Sequence, residues 1–245
     1  MTKIIMLGCN GRMGQMITDM VKQDDECMIV AGIDIVDNRD NGYPVYTKLA
    51  DAIIDFTSAT DFESRMDYAV DKQIPIIECS TGLSEEQMDY LKKASEKVAV
   101  LKSANMSLGI NLLMKLLKEA AVKLAGDGFD VEIVEKHHNQ KLDAPSGTAL
   151  ALADSINEAM DDRYEYIYDR SQVRQKRDKK ELGISAVRGG TIVGEHEVIF
   201  AGTDEVITFK HTAYSRAVFA KGSITAAKYL KGKAAGLYDM SDVLL

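Results

Sequence analysis

The sequence predicts an α/β protein with an N-terminal doubly wound parallel sheet and a second α+β domain that contains an antiparallel or mixed sheet. Short apolar runs alternate with amphipathic helical stretches up to about residue 102, which is typical of right-handed βαβ units. After Asn105 this alternation stops, strand-like segments follow one another from residue 184, and the C-terminal tail is again helical. We therefore expect residues 1–106 with 217–245 to form one domain and residues 107–216 the other.

Five short apolar runs predict the strands of the first domain. Because they lack polar alternation, they are typical of parallel strands that are buried on both faces. Between the first two, Met13, Ile17 and Val21 recur at helical spacing. Ser84 and Gln87 have the spacing of a capping box, so we expect a helix to begin after Ser84. The five predicted strands are Lys3–Leu7, Cys27–Ile33, Ala52–Phe56, Ile74–Glu78 and Val98–Lys102.

The second domain shows a different order of elements. Residues 107–126 predict a long amphipathic helix closed by a glycine, and "DVEIVEKHH" alternates in the manner of a strand. A helix is expected from about Gly147 to Met160. It is followed by a charged stretch, residues 161–181, that we interpret as a solvated loop with helical or extended flanks. The segments "ISAVRGGTIVGEHEVIF" and "EVITFKHTA", joined by "AGTD", predict antiparallel strands. The tail from about Ser215 to Lys233 predicts a helix.

The composition excludes several classes of protein. The formal net charge of −8 and the pI of about 5.1 argue against a general attraction to nucleic acid or to an anionic membrane surface. The three cysteines are widely spaced and form no CxxC pair, so neither a disulfide framework nor a zinc site is indicated. No apolar stretch has the length of a signal-peptide core or a membrane span. We expect a cytoplasmic protein without a bound metal, a nucleic-acid partner or a membrane partner.

A glycine-rich loop follows the first predicted strand. "GCNGRMG" places Gly8, Gly11 and Gly14 between that strand and an amphipathic helix, where free backbone amides can hold a pyrophosphate. The spacing is GxxGxxG, and a plain tight turn is the alternative interpretation. Asp34 ends the second strand, where an acidic side chain would hydrogen-bond the adenosine ribose, although it could also be an ordinary strand-terminal aspartate. Together these features predict a Rossmann-type dinucleotide-binding domain.

The acidic residue also predicts the choice of cofactor. A carboxylate at Asp34 would repel the 2′-phosphate of NADPH, whereas Arg39 and Arg12 could partly offset that repulsion. We therefore expect NADH to be used at least as well as NADPH, with both accepted. "CSTG" and "SANMS", which follow later strands, lie where ligands bind at the carboxyl edge of such sheets.

The segment "HHNQKLDAPSGTAL", residues 137–150, concentrates cations and turn residues. It holds two of the four histidines and one of the three prolines of the chain. Neighbouring strand residues point to opposite faces, so His137 and His138 can reach one ligand only if the strand ends or bends there. With Lys141 and the free amides of a helix that opens at "SGT", the loop predicts a site for a small dianion, and an imidazole that can transfer a proton.

Simpler interpretations exist for the same residues. Alone, His137 or Lys141 would more often be surface side chains, and Ser146 or Thr148 helix N-caps. Adjacent histidines seldom share a metal, and no cysteine or third histidine stands at ligand spacing, so a zinc site is poorly supported. We interpret the two remaining histidines, which lie in strand-like segments, as structural: His196 and His211.

Four segments carry a resemblance to a known family. "GCNGRMG", "SANMSLGIN", "EKHHNQKLDAPSGTA" and "GGTIVGEHEVIFAG" closely resemble the 4-hydroxy-tetrahydrodipicolinate (dihydrodipicolinate) reductases of bacterial lysine and diaminopimelate synthesis. The resemblance extends from the first strand to about residue 230, and the HHxxKxDAPSGTA motif is highly specific. It implies NAD(P)H-dependent reduction of a small dianionic cyclic dicarboxylate by a homotetramer joined through the sheets of the second domain. The family usually has Gly-Thr-Thr-Gly where this chain has "CSTG", so that Cys79 adds a side chain.

The resemblance also implies roles for single residues. His137 would be the proton donor and acceptor, and Lys141 a proton donor. The residues implied to bind the substrate are His138, Ser146, Gly147 and Thr148. Those implied to bind the cofactor are Gly8, Cys9, Asn10, Gly11, Arg12, Met13, Asp34, Cys79, Ser80, Thr81, Ser103, Ala104, Asn105 and Met106.

Two other classes remain open from the residues themselves. Another NAD(P)-dependent enzyme of a small amino or dicarboxylic acid, such as an aspartate or diaminopimelate dehydrogenase, would share the first domain but would not need the two-histidine loop. A non-catalytic NAD-sensing regulator would normally carry a basic DNA-binding helix, and the acidic pI argues against one.

Overall fold

The computed structural model describes residues 1–34 and 50–244, which form two compact units. Unit 1 comprises Met1–Leu108 with Ala217–Leu245, and unit 2 comprises Gly109–Arg216. The predicted class is confirmed, since a parallel sheet with helices lies in unit 1 and a mixed sheet in unit 2. Within the described part of the chain, no helix combines the length and apolarity needed to cross a bilayer.

Unit 1 is built on six parallel strands in the order β11-β5-β4-β3-β1-β2. Five correspond to the predicted apolar runs. The sixth, β11, was not predicted, because three residues carry too little periodicity to be recognised. The strands are β1 (Thr2–Leu7), β2 (Cys27–Ile33), β3 (Ala52–Asp55), β4 (Ile76–Glu78), β5 (Ala99–Lys102) and β11 (Gly236–Tyr238).

Helices cover both faces of this sheet. On one face, Ile4 and Ile54 pack with residues of the C-terminal helix such as Ile224, so that helix belongs to the nucleotide-type sheet. On the other face, Phe62 and Leu91 pack over the sheet. The predicted capping box is present, with the Ser84 hydroxyl accepting a hydrogen bond from the Gln87 amide at 3.2 Å. The helices are α1 (Arg12–Val21), α2 (Phe62–Lys72), α3 (Glu85–Ser95), α6 (Ala217–Leu230) and α7 (Met240–Val243).

Unit 2 contains a five-stranded mixed sheet in the order β10-β9-β6-β8-β7. Helices cover its apolar face, and a π-helical turn, Ala121–Ala125, extends the first of them. The elements are α4 (Leu108–Ala120), β6 (Asp130–His137), α5 (Gly147–Ala159), β7 (Glu165–Ile167), β8 (Glu181–Arg188), β9 (Gly194–Ala201) and β10 (Val206–Ala213).

The pairing of β8 differs from the prediction. β9 and β10 form the expected antiparallel hairpin, but β8 pairs parallel with β6 instead of antiparallel with β9. β6 lies between β8 and β9, so the "GGTIV" loop crosses its end. The amide of Gly189 donates to the His137 carbonyl at 2.9 Å, and the amide of Asn139 donates to the Gly190 carbonyl at 3.2 Å. The two glycines of this loop therefore serve the crossing.

The charged stretch is mostly exposed, as predicted for a solvated loop with helical or extended flanks. It includes the short strand β7, and two of its arginines are tied to carboxylates at the start of β6 and β8. Arg170 contacts Glu132 and Glu181, each at 2.8 Å, and Arg177 contacts Asp130 at 2.8 Å. The sequence shows the charges but not their partners, because the ion pairs join residues that are distant along the chain.

Candidate active site

The glycine loop of unit 1 is held by backbone-to-backbone packing. Gly8 has φ +78°, and a β-carbon there would lie 2.9 Å from the Phe56 carbonyl oxygen. A β-carbon on Gly14 would lie 2.1 Å from the Gly8 carbonyl oxygen. Gly11 precedes α1 and has no side chain to cap it, so the first amides of the helix are left for an anion. The close backbone packing at Gly8 and Gly14 holds the loop against the start of α1, where the uncapped amides fit a dinucleotide pyrophosphate.

Gly14→Ala is expected to abolish this packing, because the new methyl group would collide with backbone atoms that cannot move independently. We expect the NADH dissociation constant to rise more than tenfold and the melting temperature to fall. Fluorescence titration and thermal unfolding measure the two effects. Gly11→Ala is the matched control for folding, since its β-carbon would lie 3.3 Å from the Gly8 carbonyl oxygen, a much longer distance than at Gly14. Equal melting temperatures for the two variants would contradict the packing argument.

Asp34 contacts the glycine loop directly. Its carboxylate accepts a hydrogen bond from the amide of Asn10 at 3.0 Å, although the two residues are 24 positions apart. The Asn10 side-chain nitrogen is buried and has no partner among the described residues. Arg12 is exposed at the start of α1. Arg39, which we considered as a contact for a 2′-phosphate, lies outside the described residues.

The other predicted cofactor segments follow β4 and β5 at the carboxyl edge of the sheet. Ser80 is buried, whereas Thr81 is exposed. The Cys79 sulfur lies 4.0 Å from the Ser223 hydroxyl of α6, and burial raises the pKa of this thiol, so it stays protonated. The remaining residues of this set follow β5 in order: Ser103, Ala104, Asn105 and Met106.

In unit 2, His137 ends β6 and its ring nitrogen Nδ1 lies 2.6 Å from Oε2 of Glu135. The two residues are separated by two positions in a strand, so they share a face, and both are buried. Arg188, the register partner of His137 on β8, donates to both Glu135 oxygens at 2.7 Å each. Sequence reasoning missed Glu135 and Arg188. The alternation of β6 could have indicated Glu135, but Arg188 depends on strand pairing.

Ser146 joins this cluster to the start of α5. Its amide donates to Glu135 at 2.9 Å, and its hydroxyl accepts from the Ala149 amide at 3.2 Å, which makes it the N-cap. The hydroxyl also lies 3.0 Å from Nε2 of His196. Ser146 is buried, Gly147 is exposed and Thr148 is half-buried. The cap therefore positions the two residues that follow it.

His196, which we had interpreted as structural, packs against the predicted acid. Its ring meets the His137 ring edge-on with centroids 5.1 Å apart. Burial, with the nearby His137, lowers the pKa of His196 to about 4, so its imidazole is neutral at physiological pH. No local pattern indicates this contact, because it joins β6 to β9 across the sheet.

The remaining loop residues lie just beyond β6. His138 is half-buried, and its Nδ1 is buried without a partner in the described part of the chain. The Lys141 amide donates to the His138 carbonyl at 3.2 Å, and its ammonium group lies 2.8 Å from the Asp143 carboxylate. Arg188 also donates to the Asp143 carbonyl at 2.6 Å, so the loop is tied to β8.

The electrostatics of the cluster determine the protonation states of Glu135 and His137. Burial alone would raise the pKa of Glu135, but the hydrogen bonds from Arg188 and His137 outweigh it and the pKa is lowered. Glu135 is thus a carboxylate, and Nδ1 of His137 carries the proton between them. Burial lowers the pKa of His137 against the opposing effect of Glu135. The imidazole is therefore neutral at pH 7, with Nε2 as its basic nitrogen.

Gly194 keeps the space beside this nitrogen open, since a β-carbon there would lie 3.1 Å from Nε2 of His137. The ammonium of Lys141 and the first amides of α5 supply positive charge for an anion. Among the described residues, no group of three or more side chains is arranged to hold a metal ion. The arrangement suits proton transfer to or from an anionic ligand.

Comparisons with known proteins agree with both units. The family model described as dihydrodipicolinate reductase, N-terminus, matches residues 2–106, and its C-terminus counterpart matches residues 109–244. A 4-hydroxy-tetrahydrodipicolinate reductase of Caldanaerobacter subterraneus is 48% identical over 250 residues, covering 100% of this chain and 98% of that protein. One of Clostridium tetani is 45% identical over 250 residues, covering 100% of this chain and 97% of that protein.

A solved structure shares the fold. The dipicolinate-bound dihydrodipicolinate reductase from Paenisporosarcina sp. TG-14 superimposes with a TM-score of 0.78 at 23% identity, covering 98% of this chain and 97% of that chain. The family models match nearly the whole sequence, and the resemblance first seen in the histidine loop extends through both units. The chain belongs to the dihydrodipicolinate reductase family.

Proposed function

We propose that this protein catalyses the NAD(P)H-dependent reduction of 4-hydroxy-tetrahydrodipicolinate to tetrahydrodipicolinate, a step of diaminopimelate and lysine synthesis. The observation that carries the proposal is the buried Glu135–His137 pair, which lies at the end of β6, next to the loop that carries Lys141. The glycine loop and Asp34 of unit 1 provide the second requirement, a seat for the hydride donor.

Unit 1 would hold the dinucleotide through the glycine loop, Asp34 and the segments after β4 and β5. A reduced nicotinamide held there would supply a hydride. The substrate becomes able to accept it when its hydroxyl leaves as water and a conjugated alkene-imine forms. Once the far alkene carbon has gained the hydride, the negative charge is shared by the ring nitrogen and the carbon next to the imine carbon, and a proton is required at that carbon.

Unit 2 would hold the substrate and manage that proton. The α5 amides at Gly147 and Thr148 bind a carboxylate, and Lys141 contributes a second positive charge. His137 is neutral in the free protein, and the arriving dianion favours its protonated form, so the acid is generated when substrate binds. Glu135 stays ionised, holds Nδ1 and stabilises the imidazolium, which leaves the proton on Nε2 for transfer.

The test is an NADH oxidation assay fed by the upstream synthase reaction, with the loss of absorbance at the nicotinamide band as the signal. Turnover that depends on the synthase product supports the proposal. The alternative of a diaminopimelate dehydrogenase predicts instead reduction of NADP⁺ in the presence of meso-diaminopimelate. Binding of NADH without turnover of either substrate would contradict both enzymes.

The preference between the two dinucleotides is proposed from Asp34. Like-charge proximity of its carboxylate to a 2′-phosphate costs on the order of 1–3 kcal/mol, roughly a tenfold to hundredfold difference in affinity. Exposed Arg12 reduces that margin, so NADH is used at least as well as NADPH and both are accepted. Asp34→Ser is expected to improve kcat/KM for NADPH selectively and to leave kcat at saturating NADH nearly unchanged. A wild-type protein that prefers NADPH tenfold in steady-state kinetics would overturn this assignment.

We also propose a cytoplasmic homotetramer joined through the sheet of unit 2. The face of that sheet opposite its helices carries exposed apolar side chains, Val187 and Val206, among the ion pairs of Lys136 and Lys210 with strand carboxylates. A second copy of this surface could pair such mixed apolar and charged groups. Light scattering at micromolar concentration is expected to give four times the 27.0 kDa chain mass, and a monomer would refute the proposal.

A further inference from the structure

A row of ionisable residues lies beneath the carboxyl edge of the sheet in unit 1. Asp55, Glu78 and Lys102 end three neighbouring strands and are direct register partners. In-register parallel strands place such side chains on the same face, and here Asp55 and Glu78 are both fully buried. Buried charges are costly unless they are paired, so each of these groups needs a physical account.

The buried charge of Asp55 is compensated by neighbouring hydrogen-bond donors. Its carboxylate accepts hydrogen bonds from Nε of Arg65 at 2.5 Å and from the amide and hydroxyl of Thr57 at 2.9 and 2.6 Å. Arg65 also donates to the carbonyl of Ser58 at 2.6 Å, so this pair fixes the loop after β3. Asp55 is thus accounted for by local structure.

Glu78 and Lys102 have a different arrangement, in which both hold the same residue. Oε1 of Glu78 accepts the Ser80 amide at 2.7 Å, and the Lys102 ammonium donates to the Ser80 carbonyl at 2.5 Å. Oε2 of Glu78 and the Ser80 hydroxyl are buried without partners in the described part of the chain. A leucine at position 78 would avoid this unpaired oxygen, so fold stability alone does not explain the carboxyl group.

We propose that Glu78 and Lys102 are positioning residues that hold the two peptide groups of Ser80 in the conformation that receives the dinucleotide. The inference rests on the proposed use of NAD(P)H, for which the segment Cys79–Thr81 forms part of the seat. Glu78 and Lys102 fix the backbone of Ser80 before the dinucleotide binds. Binding then does not have to order this residue, so less conformational entropy is lost.

The ionisation of Glu78 supports a role that varies with pH. Burial, followed by the charge of Asp55, raises the pKa of Glu78 to about 7. The charged groups that face it are Asp55 from β3 and Lys102 from β5, while Arg65 of α2 is bound to Asp55. A carboxylate accepts a hydrogen bond more strongly than a neutral acid does. Ionised Glu78 therefore holds the Ser80 amide more strongly than neutral Glu78 does. We expect NADH to bind more tightly as the pH rises through 7.

The test measures NADH binding to the full chain by fluorescence titration, without substrate. Glu78→Leu and Lys102→Met remove the acceptor and the donor, and each is expected to raise the dissociation constant about tenfold, equivalent to about 1.4 kcal/mol. Glu78→Gln and Lys102→Arg keep a hydrogen-bonding group and are expected to stay within about threefold of the wild type. The control is Lys97→Met, which removes an exposed lysine of the same unit.

Two further measurements separate positioning from stability. The value of kcat at saturating NADH is expected to change less than about twofold in the folded variants, since only binding is affected. From pH 6 to 8 the wild-type dissociation constant should fall, whereas that of Glu78→Gln should be flat. If Glu78→Leu does not fold, Lys102→Met and the pH profile of Glu78→Gln decide the question.

The outcomes also separate this inference from the proposed function. A wild-type chain that binds neither NADH nor NADPH refutes the proposed function itself. A wild-type chain that binds NADH and reduces the substrate, together with Glu78 and Lys102 variants of unchanged affinity and pH profile, overturns the positioning role and leaves the proposed function standing.

Discussion

His137→Gln is expected to lower kcat by a factor of about 10²–10⁴, the usual contribution of a positioned general acid or base. Glutamine can still hydrogen-bond Glu135, but it cannot accept a proton near neutral pH and pass it on. The NADH dissociation constant measured without substrate should not change, because the substitution leaves the glycine loop of unit 1 unaltered. Steady-state kinetics at saturating concentrations of both substrates, with NADH titration alongside, measures the effect.

A second variant tests the same nitrogen while keeping the imidazole. Gly194→Ala places a β-carbon 3.1 Å from Nε2 of His137, so it is expected to obstruct proton transfer and lower kcat. The control is Gln140→Ala, an exposed side chain of the same loop that hydrogen-bonds Asn139. If His137→Gln retained more than about a tenth of wild-type kcat, the loss would be far smaller than a general acid usually contributes. His137 would then not be the acid.

Glu135→Leu is expected to cost about 3–5 kcal/mol of unfolding free energy, the typical result of removing one partner of a buried ion pair. Arg188 would keep its charge in a largely buried position, and the Ser146 amide would lose its acceptor. For a chain of this size the melting temperature should fall by about 2–4 °C per kcal/mol. Thermal and urea unfolding measure the loss.

The same pair predicts a dependence on pH. The pKa of Glu135 is lowered in the folded protein, so its stabilising contribution is present above the unfolded pKa of about 4.3 and is lost as the pH falls through the folded value. The stability difference between the wild type and Glu135→Leu should therefore shrink in acid. Glu135→Leu with Arg188→Met should recover part of the stability, since no charge is left unpaired, but not the activity, since Nδ1 of His137 remains unsupported. A double variant no more stable than Glu135→Leu would contradict the ion-pair account.

Local patterns in the sequence determined much of the fold. The buried parallel strands of unit 1, the capping box at Ser84, the β9–β10 hairpin and the glycine loop all follow from residues that are neighbours along the chain. Periodicity and capping are local, so their signals survive without tertiary information. The strand β11 and the partners of the charged stretch were missed, because the first is too short and the second depends on distant residues.

The same division applies to the candidate site. The sequence by itself determined the chemical types that meet in the histidine loop and the family to which they point. Only the tertiary structure placed Glu135, Arg188 and His196 around His137, since parallel pairing with β8 and antiparallel pairing with β9 bring together residues that are distant along the chain. Register across a sheet is set by the packing of whole faces, a property that no short stretch of sequence contains.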